Sequence, residues 1–138
     1  MDLAVRQTAT RTLTVTEGHV AKYAEITGDY NPLHFDEEFA AGTPFGKLVV
    51  HGGITAGILN ALVAEDLPGP GTVFMNQQLE FVAPVFIGDT IVGEVEVLKV
   101  RATKPVTQLR VEVRRGEGEV VLKGEAWCYT FPGPETAQ

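Results

Sequence analysis

Between Gly28 and Gly53 the chain reads GDYNPLHFDEEFAAGTPFGKLVVHGG, and most of the residues suited to chemistry lie in this stretch. A carboxylate, Asp29, stands five positions before an imidazole, His34, and Pro32 between them keeps one helix from running through both. A second imidazole, His51, precedes the glycine pair Gly52 and Gly53 at the start of an apolar segment that reads as a buried helix. An acid/base pair beside free backbone N–H groups is what catalysis on a carbonyl compound needs, so the chain reads as an enzyme. Taken singly, Asp29 is a turn residue after a helix stop, His34 a loop histidine beside Pro32, and His51 a residue shaping a helix entrance. The chemical reading rests on their combination.

These groups need elements to hold them. Residues 10–16, TRTLTVT, alternate as a strand or extended lead-in. Thr16 then caps a helix over 17–27, with Glu17 in its first turn, Gly28 as its stop, and Val20, Tyr23 and Ala24 on its apolar face. His19, in the first turn, reads as an ordinary surface or half-buried histidine. DYNP is turn chemistry, so 29–33 is expected to be a tight, ordered loop, followed by a short helix over 36–41 that Gly42 ends. The segment TPFGKL is a loop placed to cover a pocket.

Residues 52–65, GGITAGILNALVAE, are apolar nearly all round, with Asn60 as the interior polar residue. A helix without a polar face belongs at the centre of a fold, so a sheet must wrap it. Asn60 should then be buried with a partner, and the active site is one candidate. After the break LPGPG, β-type runs follow at 72–82, 90–100, 106–115 and 119–131. Ile91, Val95 and Val97 alternate with Glu94 and Glu96, and Leu109, Val111 and Val113 with Gln108, Arg110 and Glu112, giving one buried face per strand. The connections are short, so neighbouring strands should pair antiparallel. The expected class is α+β, a long central helix wrapped by an antiparallel β-sheet.

A chain of 138 residues with 44% hydrophobic content suits one domain, 1–138, with 132–138 a disordered tail. No early apolar run marks a signal peptide and no stretch is long enough to cross a bilayer, so a cytoplasmic protein without a membrane partner is expected. The net charge of −7 argues against nucleic acid. Cys128, the one cysteine, has no internal disulfide partner and reads as a small core or strand residue. An anionic cofactor such as coenzyme A would need a local basic patch drawn from Lys47, Lys99, Arg101, Lys104, Arg114 and Arg115, each more simply read as keeping strand edges soluble. The chain has no GxGxxG, P-loop, GxSxG or metal-spaced His/Cys set, which sets nucleotide, serine-hydrolase and zinc chemistry aside.

Tyr23-Ala24-x-x-Thr27-Gly28-Asp29-Tyr30-Asn31-Pro32-Leu33-His34, then Val50-His51-Gly52 opening an apolar helix, then Phe81-x-x-Pro84-Val85-x-x-Gly88-Asp89, resembles the MaoC-like dehydratases, in particular the R-specific enoyl-CoA hydratases. The likeness spans about residues 12–130. It implies the hot-dog fold, a homodimer of two hot dogs edge to edge, and reversible syn hydration of a trans-2-enoyl thioester to the (R)-3-hydroxyacyl product.

Carried over, the resemblance makes Asp29 and His34 the catalytic pair that activates one water, and the Gly52 N–H the donor to the thioester oxygen. No metal and no cofactor are expected, coenzyme A being part of the acyl-CoA substrate. Asn31 would hold the loop and, with His51, Asn60, Phe45 and Leu62, contribute to substrate binding, Ile58 and Val63 being further candidates for the acyl lining. The family often carries a small hydroxyl residue such as Ser where this chain has Asn60. The alternatives are a hot-dog acyl-CoA thioesterase, in which the same helix start polarises a thioester for hydrolysis, and a non-catalytic acyl-CoA binding module.

Overall fold

The computed structural model describes residues 3–116 and 118–133, so most of the expected disordered tail, 134–138, lies outside the described residues. The elements are β1 (Thr8–Thr14), α1 (Glu17–Thr27), α2 (Pro32–Phe35), α3 (Glu37–Ala41), α4 (Gly52–Ala61), a π-helical turn (Leu62–Asp66), β2 (Thr72–Phe81), β3 (Thr90–Val100), β4 (Val106–Arg115) and β5 (Glu119–Thr130). The strands form one antiparallel sheet in the order β1-β3-β4-β5-β2, with α4 against its inner face in the hot-dog arrangement. No helix among the described residues is long and apolar enough to cross a membrane.

Alternation makes the sheet one-sided. Ile91, Val95 and Val97 of β3 and Leu109, Val111 and Val113 of β4 are at most 1% exposed. Their alternates face outward, where Arg110 donates to Glu94 at 2.7 Å and to Glu96 at 2.8 Å. α4 and the π turn send Ile58, Leu59, Leu62 and Val63 into the same core. Gly93 is the seat of that contact. A Cβ there would stand 2.9 Å from Ile58 Cγ2 and 3.1 Å from Leu62 Cδ1, so the missing side chain sets how closely helix and sheet approach.

Two expectations need correction here. The helix is not enclosed all round: Asn60 is exposed and Ala56 and Gly57 are half-buried, because one sheet curls about only one side of it. Nor is 52–65 one α-helix; its last turn widens, with the Leu67 N–H donating to the Leu62 carbonyl at 2.8 Å, five residues back. β2 is an edge strand whose Val73, Met75 and Phe81 are each at least half exposed.

Candidate active site

α1 delivers the chain to Asp29. Thr16 caps it as expected, and His19 completes the capping box by accepting the Thr16 N–H at 3.0 Å through Nδ1, a role usually filled by Glu or Gln. Gly28 ends the helix at φ +80°, a left-handed value that glycine adopts without steric penalty. Two Asx turns follow in succession: Asp29 Oδ1 accepts from the Asn31 N–H at 3.2 Å, and Asn31 Oδ1 accepts from the Leu33 N–H at 3.0 Å. The sequence predicts an unbroken loop over 29–33, whereas a helical turn, α2, begins at Pro32 with Asn31 as its cap. Proline stops a helix arriving from behind but suits the first position of a new one, where its missing N–H forfeits no bond. His34 therefore stands on a short helix.

The His34 ring is held from behind. Its Nδ1 lies 2.7 Å from the carbonyl oxygen of Val49, and since a carbonyl only accepts, Nδ1 carries the hydrogen and the neutral ring presents a lone pair at Nε2. Val49 is itself fixed, its N–H donating to Leu33 O at 3.1 Å and its neighbour Val50 donating to Val85 O at 2.7 Å. His34 Nε2 is 3.9 Å from Asp29 Oδ2, too far for a direct hydrogen bond. A water about 2.8 Å from both atoms would see them at an angle of roughly 90°, so one molecule can donate to both. The Asp29 side chain is 47% exposed and that of His34 10%, so the pair has one open and one sheltered member.

His51 ties this pair to α4. Its Nε2–H donates to the backbone oxygen of Asp29 at 2.9 Å, and its ring stacks on His34 with centroids 3.7 Å apart. The ring is 2% exposed, and its Nδ1 is buried with no hydrogen-bond partner among the described residues. The Tyr23 ring lies tilted beside that of His51, with centroids 4.8 Å apart. A Cβ on Gly53 would fall 1.6 Å from the Tyr23 hydroxyl oxygen, so the second glycine of the pair makes room for that tyrosine.

Gly52 is the first residue of α4, and its N–H has no partner among the described residues. It lines a cavity of about 330 Å³ with Phe45, Val50, Thr55, Phe81 and Val85 among its walls. Phe45 reaches this wall from the TPFGKL loop. Neither Asp29 nor His34 is in the lining of this cavity. The two halves of the site meet at His51, covalently next to Gly52 and in contact with both members of the pair.

Other expected positions move. Asn60 is on the outward face of α4, exposed and with no side-chain hydrogen bond to the described residues, because the sheet that was to bury it covers the opposite face. Leu62 is fully buried beside Gly93 and packs on the sheet away from the cavity, and Ile58 and Val63 belong to the same core. Of the basic residues, Arg114 pairs with Glu112, and Arg115 with Asp89 and Glu119, while Lys47 lies two positions after the cavity residue Phe45. Lys47 Nζ lies 4.5 Å from the centroid of the Phe86 ring. A larger depression of about 540 Å³ crosses the outer face of the sheet, but Arg110 and Lys123 there are matched by Glu94, Glu96, Glu112 and Glu80. The chemistry is not placed there.

The ligand atoms of Asp29, His34 and His51 lie within 4.8 Å of one another. Stacked rings hold their in-plane lone pairs apart, unlike the convergent donors around a bound ion. Burial pushes the Cys128 thiol up to about 12, which keeps it in the unreactive protonated form.

Sequence reasoning missed the Val49 carbonyl behind His34, the fit of Tyr23 over Gly53, and Thr55 and Phe81 in the cavity wall. Period and composition mark apolar faces, and nothing in them marks a backbone oxygen as an anchor.

The sequence profile described as "MaoC like domain" matches residues 4–120. A 3-hydroxybutyryl-CoA dehydratase of Methylorubrum extorquens is 44% identical over 91% of this chain and 79% of its own length. An (R)-specific enoyl-CoA hydratase of Aeromonas caviae is 40% identical over 78% of this chain and 80% of its own length. Among solved structures, the (R)-hydratase from A. caviae involved in PHA biosynthesis superposes with a TM-score of 0.90 at 36% identity, covering 94% of this chain and 98% of that one.

Proposed function

This chain belongs to the MaoC-like dehydratase family, and from that premise we propose that it is an (R)-specific enoyl-CoA hydratase, adding water reversibly and syn to trans-2-enoyl-CoA to give (R)-3-hydroxyacyl-CoA. The observation that carries the reading is the pairing of Asp29 and His34 across 3.9 Å, with His51 joining that pair to the free N–H at Gly52.

Water adds to an enoyl thioester only if a base takes its proton as the C–O bond forms and a donor meets the oxygen of the incipient enolate. Both acceptors face the same small volume, so a water donating to Asp29 and His34 turns its own lone pairs toward the β carbon. The proton it loses is carried by the pair and placed on the α carbon, from the side that delivered the oxygen, which makes the addition syn. The Gly52 N–H, at the positive end of α4, holds the thioester oxygen. Nothing in this sequence of steps calls for a metal or a cofactor.

The working unit in this reading is a homodimer. Among the described residues β2 leaves its outer edge unpaired and Val73, Met75 and Phe81 exposed, and a second copy adding strand to strand would cover them. Light scattering should give twice the chain mass, and Met75→Lys should shift the equilibrium toward single chains. A Met75→Lys protein as dimeric as its parent would remove β2 as the interface.

Crotonyl-CoA separates the rival activities. Loss of enoyl absorbance without release of thiol means hydration, and chiral analysis of the product should give the (R)-3-hydroxy compound. Released thiol would point to a thioesterase, and tight binding without turnover to a binding module.

A further inference from the structure

Thr55 stands one helical turn beyond Gly52 and lines the same cavity. It is only 3% exposed, one of few polar residues in the core, yet its hydroxyl makes no hydrogen bond to the described residues. A threonine inside a helix ordinarily returns its hydroxyl to a carbonyl three or four residues back. Thr27 does so here, donating to Tyr23 O at 2.8 Å. The carbonyl Thr55 would use, that of His51, is taken by the N–H groups of Ile54 at 3.0 Å and Thr55 at 3.4 Å. The hydroxyl is left facing a cavity walled otherwise by Phe45, Val49, Val50, Phe81, Val82 and Val85. Opening onto a largely apolar cavity and unpaired among the described residues, this hydroxyl is available to donate a hydrogen bond to a ligand bound there.

Helical side chains lean toward the N-terminus of their helix, so the Thr55 hydroxyl is carried back over the turn that Gly52 begins. We propose that Thr55 contacts the substrate directly, its hydroxyl donating a second hydrogen bond to the thioester oxygen that the Gly52 N–H holds. The inference rests on the hydratase reading and adds to it a donor from a side chain. Two donors converging on one oxygen stabilise the enolate-like transition state more than the neutral ground state, so the contribution falls mainly on kcat.

The test compares Thr55→Val, which keeps the shape and deletes the hydroxyl, with Thr55→Ser, which keeps the hydroxyl and deletes a methyl group. Thr55→Val should lower kcat for crotonyl-CoA by roughly 10²-fold with little change in KM, and Thr55→Ser should recover most of the loss. A conjugated dienoyl-CoA bound to the parent should absorb at longer wavelength than free in solution, because its carbonyl is polarised, and that shift should shrink in Thr55→Val. Packing alone would not move it. Parental kcat in Thr55→Val, or a Thr55→Ser as impaired as Thr55→Val, overturns the proposal while hydration by the parent leaves the hydratase reading intact. A parent that does not hydrate crotonyl-CoA removes both.

Discussion

Asp29→Asn and His34→Ala should each slow hydration of crotonyl-CoA by about 10²–10⁴-fold, the usual loss for one positioned acid/base group. The fold should survive both changes. Asn at position 29 still offers an oxygen to the Asn31 N–H, so the bend persists, and the His51 bond to position 29 uses the backbone oxygen, which no side-chain change removes. Removing the His34 ring forfeits its bond to Val49 O and its stacking on His51, a loss of about 1–2 kcal/mol that lowers stability without unfolding the chain. Because one water is shared between the two groups, the double variant should be little worse than the poorer single one. Steady-state rates, with far-UV circular dichroism as the control, check all three. Near-parental activity in either single variant sinks the site assignment, and strictly multiplicative losses sink the shared water.

Gly124→Ala should give the largest loss of stability from a single methyl group. Gly124 of β5 pairs with Leu79 of β2, and a Cβ there would lie 2.0 Å from the Gln78 carbonyl oxygen and 3.1 Å from Leu79 Cα. Those are backbone atoms held in a ladder, so the clash cannot be relieved by turning a side chain; the strands must part. A cost of about 3 kcal/mol, or on the order of 10 °C in Tm, is expected. Activity should fall with it, since β2 ends in Phe81, whose ring sits 3.0 Å from where a Cβ on Gly52 would be. Gly18→Ala is the contrasting case. Its Cβ would meet only the Thr16 hydroxyl oxygen at an ordinary 3.6 Å, so stability should hold or rise by a few tenths of a kcal/mol. Denaturant unfolding of the two variants checks the contrast, and equal midpoints would show that β2 and β5 adapt more freely than their spacing suggests.

Local signals in the sequence carried far. The bounds of α1 follow from Thr16 and Gly28, and those of β3 and β4 from strict alternation, because caps and pleats act within a few residues. The helix at Pro32–Phe35 was hidden by the same proline that starts it, since one residue type both ends and begins helices and only the incoming backbone decides which. Asn60 and Leu62 illustrate a different limit. An apolar helix announces that it is buried without saying on which side, so Leu62 went to the sheet and Asn60 to the open face.

By itself, the sequence determined an α+β chain with one apolar helix, an antiparallel run of strands, and an acid, two imidazoles and a glycine pair close together along the chain. Chemical type and short-range order are written residue by residue. The tertiary structure decided that the Val49 carbonyl would orient His34, that His51 would bind the backbone of Asp29 across 22 positions, and that Thr55 would face a cavity with its hydroxyl unspent. Those outcomes depend on which surfaces meet when the sheet closes on α4, and that is a property of the whole packed chain.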